Sequence, residues 1–111
     1  MDSLLEQIVS RIQSLKPSEI TVTPYTEKRA AGRRIDVETA CKNIVSRTDG
    51  VWRFSSFLGL KGKRIEAYFK VSARNAHKYV IEVNQKIYLI NVMNINTRIQ
   101  RRLKRNEDRY F

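Results

Sequence analysis

Between Val51 and Val92 the apolar residues stop recurring every three to four positions and begin to alternate. This change of period restricts the fold more than any other feature, because alternation puts apolar side chains on one face of a strand, whereas helical spacing puts them on one stripe of a helix. The runs VWRFSSF and RIEAYFKV, joined by LGLKGK, are predicted to form a hairpin, with Gly59 and Gly62 supplying the backbone freedom of the connection. If the loop centres between Leu60 and Lys61, Trp52 faces Phe69 and Phe54 faces Ala67, with Ile65 and Val71 on the same side. The other face then carries Arg53, Ser55, Phe57, Arg64, Glu66, Tyr68 and Lys70. A second hairpin follows from KYVIEV and KIYLINV, separated by Asn84 and Gln85. These two strands are apolar on both sides and are expected in the sheet interior.

Helical spacing governs the flanks. Leu4, Leu5, Ile8, Val9, Ile12 and Leu15 predict a helix of about four turns ended by Pro17. The segment EITVTPY has the β-branched content of a short strand, which Pro24 confines to an edge or terminates. Residues 26–35 show no apolar periodicity and read as a mobile basic loop carrying Lys28, Arg29, Arg33 and Arg34 around Gly32. Asp36 is a candidate N-cap for a helix running through Arg47, with Val37, Ala40, Cys41, Ile44 and Val45 on its apolar face. Cys41 there is expected to be a buried small hydrophobe, and Trp52 a core residue.

The closing stretch RIQRRLKRNEDRYF predicts a last helix, capped by Asn94, Asn96 or Thr97. Arg98, Arg101, Arg102, Arg105 and Arg109 fall on one stripe of it, beside a second stripe of Ile95, Ile99, Leu103 and Tyr110. The expected architecture is therefore a single α+β domain spanning residues 1–111. A sheet of about four antiparallel strands, two hairpins over residues 51–92, would carry N-terminal, central and C-terminal helices packed mainly on one face.

Charge points to the partner. The chain has 22 Lys plus Arg against 11 Asp plus Glu, a net charge of +11. Residues 61–111 hold 13 basic and 4 acidic side chains, and residues 1–60 hold 9 and 7. Such an excess draws polyanions. Cations spaced for phosphates, with flat rings on which bases stack, are what single-stranded nucleic acid rewards. The reading that follows is a protein that binds single-stranded DNA or RNA and is not an enzyme. Arg98, Arg101, Arg102, Arg105 and Arg109 would meet phosphates with Lys28, Arg29, Arg33 and Arg34 flanking, Arg53, Arg64 and Lys70 would track the backbone, and Phe57 and Tyr68 would hold bases. Packing of those two rings against a helix or a second subunit is the competing use, since a one-residue slip in register turns both inward. For the arginine stripe it is a solvated or self-association face.

Catalytic signatures are scarce. One histidine and one cysteine leave no Cys/His metal site or disulfide framework. No D/E-x-K spacing of acids and lysine suited to a magnesium nuclease occurs in a plausible strand, and neither cofactor nor metal is expected. One enzymatic alternative remains, a metal-free ribonuclease resembling small basic bacterial toxins, built from Arg64, Tyr68, Lys70 and His77, with His77 in an apparent loop. Another is an oligomeric coat or structural protein contacting nucleic acid, and the broad apolar stripe of the first helix leaves room for a homodimer. The N-terminal segment lacks the pattern of a secretory or transit signal, and no apolar run approaches a membrane span. The expected location is cytoplasmic, including the host cell of a virus or plasmid, without membrane association.

Overall fold

Ser3 opens the first helix by accepting a hydrogen bond from the Glu6 backbone N–H at 3.1 Å, satisfying one of the donors that a helix start leaves unpaired. The computed structural model describes residues 3–55 and 63–96. Helix α1 spans Leu4–Gln13 and buries Leu5, Ile8 and Ile12. It is shorter than its apolar pattern suggests: the chain leaves the helix at Ser14, whose hydroxyl donates back to the Arg11 carbonyl, and Leu15 packs on the core from outside it. The Arg11 guanidinium donates to the carbonyls of Asn84 and Gln85 at 2.9 and 2.8 Å, fastening α1 to a distant turn. A single 3₁₀ turn at Pro17–Glu19 leads into β1, Ile20–Val22.

The basic segment that follows is a helix and not a mobile loop. Helix α2, Pro24–Gly32, starts with the Thr23 hydroxyl accepting from Thr26 N–H and with Pro24 in the first turn, where its missing N–H costs nothing. Its sequence hides this because only Thr26 and Ala30 are buried, too few and too small to make an apolar period. Helix α3, Val37–Ser46, matches expectation: Asp36 caps it through Thr39, and Ala40, Cys41 and Ile44 are buried. Burial also raises the Cys41 thiol above its ordinary range, which favours its protonated form.

Four further strands, β2 (Val51–Phe54), β3 (Lys63–Lys70), β4 (Asn75–Val83) and β5 (Ile87–Asn96), form an antiparallel meander. β1 joins β5 in parallel, so the sheet has five strands in the order β1-β5-β4-β3-β2 and is mixed. The α+β class holds, but the four-stranded antiparallel description misses β1, whose pairing spans more than sixty positions of sequence. Trp52 lies opposite Ala67 and Phe54 opposite Ile65, two residues from the predicted register. An even slip preserves which face each side chain occupies. Trp52 therefore still meets Phe69, edge to face at 6.0 Å between ring centres. Val71, in contrast, lies beyond the end of β3 and is exposed.

β5 continues through Asn96, pairing Asn96 with Asn75 and Ile95 with Ala76. Asn94, Ile95 and Asn96 thus belong to a strand and not to the start of a helix. The remainder of the predicted terminal helix lies outside the described residues.

One sheet face, with Trp52, Ile65, Phe69, Tyr79, Ile81 and Leu89, packs with α1 and α3 to form the core. Each fully buried Ile or Leu there contributes about 1.5–3 kcal/mol by leaving water. Gly50, just before β2, makes the close approach possible: a Cβ there would come within 2.5 Å of the Phe69 ring. α2 does a different job. β1 covers only the first residues of β5, and α2 lies along the rest of that edge, where the Thr26 hydroxyl donates to the Leu89 carbonyl at 2.8 Å and Asn94 Nδ2 donates to the Arg33 carbonyl at 3.0 Å. An otherwise open edge of β5 is thereby closed by side chains.

Candidate nucleic-acid interface

Covering that edge leaves the other side of α2 facing outward, and it holds Tyr25, Lys28, Arg29 and Gly32. Tyr25 is 53% exposed, with the Arg29 guanidinium 5.0 Å from its ring centre. The two lie one helical turn apart, which is what brings a cation over an aromatic face. Among the described residues, Lys28, Arg29 and Arg34 have no carboxylate within ion-pair reach. A cleft of about 520 Å³ is lined by Tyr25, Lys28, Arg29, Gly32 and Arg33.

Arg33 is engaged inward: its guanidinium donates to the Val92 carbonyl and, at 3.1 Å, to Asn91 Oδ1. It ties the end of α2 to β5 while still lining the cleft. Arg34 takes a left-handed backbone conformation, with φ of 57°, in the turn that ends α2. That conformation costs a non-glycine residue about 1–2 kcal/mol, and Gly32, two positions earlier, does not adopt it.

The outer sheet face assembles as predicted in membership but not in exposure. Arg53, Arg64, Glu66, Tyr68 and Lys70 share it, joined by Lys78 and Val80 across the β3–β4 pairing. Tyr68 is only 4% exposed, and its hydroxyl donates to Glu66 Oε1 at 2.8 Å. Its ring offers no free face to a base, which corrects its assignment as a stacking residue. Burial, then the Glu66 contact, pushes its phenol far above the ordinary range, so it stays protonated as a donor.

Glu66 also pairs with Arg53 at 3.5 Å and Lys78 at 3.2 Å, and Arg64 pairs with Glu82 at 3.5 Å. The sheet cations are thus largely matched by acids. Arg64, Glu66, Lys78, Val80, Ile90, Asn91 and Met93 line a cleft of about 540 Å³ together with Thr23, Ser55 and Tyr25. A register jump supplies part of its floor, since Val80 faces Asn91 while Ile81 faces Leu89, leaving Ile90 as an extra residue in β5.

Tyr25 therefore belongs to both clefts and is where they meet. It was absent from the sequence-based site. The signal was present in TPYTEKR, where a Thr-Pro helix start places Tyr25 and Arg29 four apart. Of the predicted cations, Lys28, Arg29 and Arg33 come together around one cleft and Arg64 around its neighbour. Arg53 and Lys70 lie on the same sheet face outside both linings, and Arg34 follows α2. Phe57, Arg98, Arg101, Arg102, Arg105 and Arg109 lie outside the described residues.

The four side chains of the ribonuclease alternative do not converge. His77 is on β4 and not in a loop, opposite Phe69, and so points to the face away from Arg64, Tyr68 and Lys70. Its Nδ1 is 2.8 Å from the Tyr79 hydroxyl, which accepts from Asn43 Nδ2 at 3.1 Å. Burial, then the positive Arg47, lowers its pKa below the ordinary 6.5. Among the described residues, no three His, Cys, Asp or Glu side chains group to hold a metal ion, and no helix is long and apolar enough to cross a membrane. Compared with known proteins, the chain matches no family model, no curated protein and no solved structure.

Proposed function

We propose that this protein binds single-stranded DNA or RNA, with α2 as the principal contact and the outer sheet cleft as its continuation. The observation that carries this reading is Tyr25, a ring more than half exposed, held by Arg29, at the junction of two clefts, beside cations that have no carboxylate within ion-pair reach among the described residues. Lys28, Arg29 and Arg34 would meet phosphates, and an unstacked base would lie on Tyr25. A duplex, whose bases are already stacked, gains less from an exposed ring. The net charge of +11 supplies the long-range attraction and a strong dependence on salt.

Fluorescence anisotropy of labelled oligothymidylate and oligouridylate across a salt series tests this. Replacing Lys28 and Arg29 together by alanine is expected to weaken binding about tenfold or more at low salt and to reduce the salt slope by about two. Equal binding by wild type and double variant removes α2 from the interface, and no binding by the wild type removes the function.

A further inference from the structure

The acid at the centre of the outer sheet face stands where a nucleic-acid phosphate is needed. Glu66 is 9% exposed, and its carboxylate is approached by three donors: Tyr68 Oη at 2.8 Å and Arg53 Nε at 3.5 Å on Oε1, and Lys78 Nζ at 3.2 Å on Oε2. It lines the same cleft as Arg64, Lys78 and Tyr25. The two cations are the donors that a phosphodiester would recruit, whereas the buried Tyr68 hydroxyl serves only the carboxylate.

We infer that Glu66 is a built-in competitor for the phosphate backbone. It occupies Lys78, which lines the cleft, and Arg53, on the same sheet face just outside the lining, and gives them up when a phosphodiester enters. The inference rests on the proposed binding of single strands and concerns the sheet half of that surface. Its consequence is a division of labour, in which Lys28 and Arg29 of α2 capture the strand and the sheet cations engage only a ligand charged enough to displace Glu66. A weakly charged or very short anion gains α2 alone. The carboxylate thus sets a threshold for engagement and lowers affinity for every polyanion below what the cations would otherwise give.

The charge-removing substitution Glu66→Gln, nearly equal in shape, separates this role from simple support of the sheet. The probe is a labelled oligothymidylate of roughly 20 nucleotides, enough to cover both clefts. Glu66→Gln is expected to tighten binding about threefold or more at low salt, and to steepen the salt dependence by about one unit, because one more protein cation answers to the strand. Tyr68→Phe removes a donor to the same carboxylate without changing charge, and is expected to leave affinity within about twofold and the slope unchanged.

If wild type binds but Glu66→Gln binds no tighter, or with the same slope, the competitor role is overturned while the binding function stands. A Tyr68→Phe effect as large as that of Glu66→Gln overturns it as well. If wild type does not bind, the functional reading itself fails. A measurement on the unaltered protein guards against a Glu66→Gln chain that does not fold. The Glu66 carboxyl ¹³C resonance is expected to move as oligothymidylate is added, and a resonance that stays fixed while anisotropy rises overturns the exchange.

Discussion

α2 and the outer face of the sheet draw on the same excess of positive charge, yet they hold it in opposite ways. On the sheet, Arg53 and Lys78 converge on Glu66, Arg64 meets Glu82, and Tyr68 is buried with its hydroxyl engaged. On α2, Lys28 and Arg29 form no ion pair among the described residues and lie beside an exposed Tyr25. The difference follows from what each element must do for the fold. A central strand presents neighbours on both sides, so opposite charges placed across from one another stabilise the pairing. A helix that only covers a sheet edge spends one narrow side on that task, here Thr26 and Ala30, and the rest of its surface is unconstrained. Counting cations by sequence cannot distinguish the two; counting the acids beside each one can.

The contrast can be broken most forcefully at the two tyrosines. Tyr68→Ala is expected to cost about 3 kcal/mol or more of folding stability, as loss of a buried ring and of a donor to Glu66 requires, read as a lowered midpoint in urea denaturation. Tyr25→Ala should change stability by no more than about 0.5 kcal/mol, being a surface truncation, while weakening single-strand binding by about 1–3 kcal/mol and duplex binding much less. Reversed sensitivities would mean that the sheet, and not α2, holds the bases.

A smaller effect is expected at Arg34. Glycine tolerates its left-handed backbone, so Arg34→Gly should raise stability by about 0.5–1 kcal/mol while reducing oligonucleotide affinity a fewfold through the lost cation. A stabilised variant with unchanged binding would remove Arg34 from the contact surface. The smallest effect concerns His77, which lies away from both clefts. Its folded pKa is lowered by burial and Arg47, so the unfolded chain takes up its proton more readily. Its stabilising contribution is therefore complete above about pH 6.5 and declines as pH falls from there towards the folded value. His77→Gln should flatten that part of the stability profile without altering binding at pH 7.5, as thermal melts and anisotropy would register.

How much of this was readable beforehand varies by element. Helix α3 was legible because its cap, Asp36, and its apolar period agree. The β2–β3 hairpin was legible in facing but not in register, since a shift of two residues leaves every apolar side chain on the same side. The parallel β1–β5 pairing was not legible, because nothing local marks a contact between Ile20 and Ile87. α2 was missed for a different reason. Periodicity detects helices by the apolar surface they bury, and α2 buries a threonine and an alanine, so only its Thr-Pro start announced it. At the site, Lys28, Arg29 and Arg33 were legible from charge, whereas the acid partners of Arg53 and Arg64 come from strand pairing and needed coordinates. The same holds for Tyr68, whose alternation with core residues fixes its face but not its burial.

Amide NMR of the folded protein titrated with oligothymidylate addresses the central claim directly. The largest shifts are expected at Tyr25, Lys28, Arg29 and Arg34, extending to Arg64 and Lys78, with α1 and α3 silent. Shifts confined to α1 or α3, or spread evenly over the molecule, would contradict a contact surface centred on Tyr25.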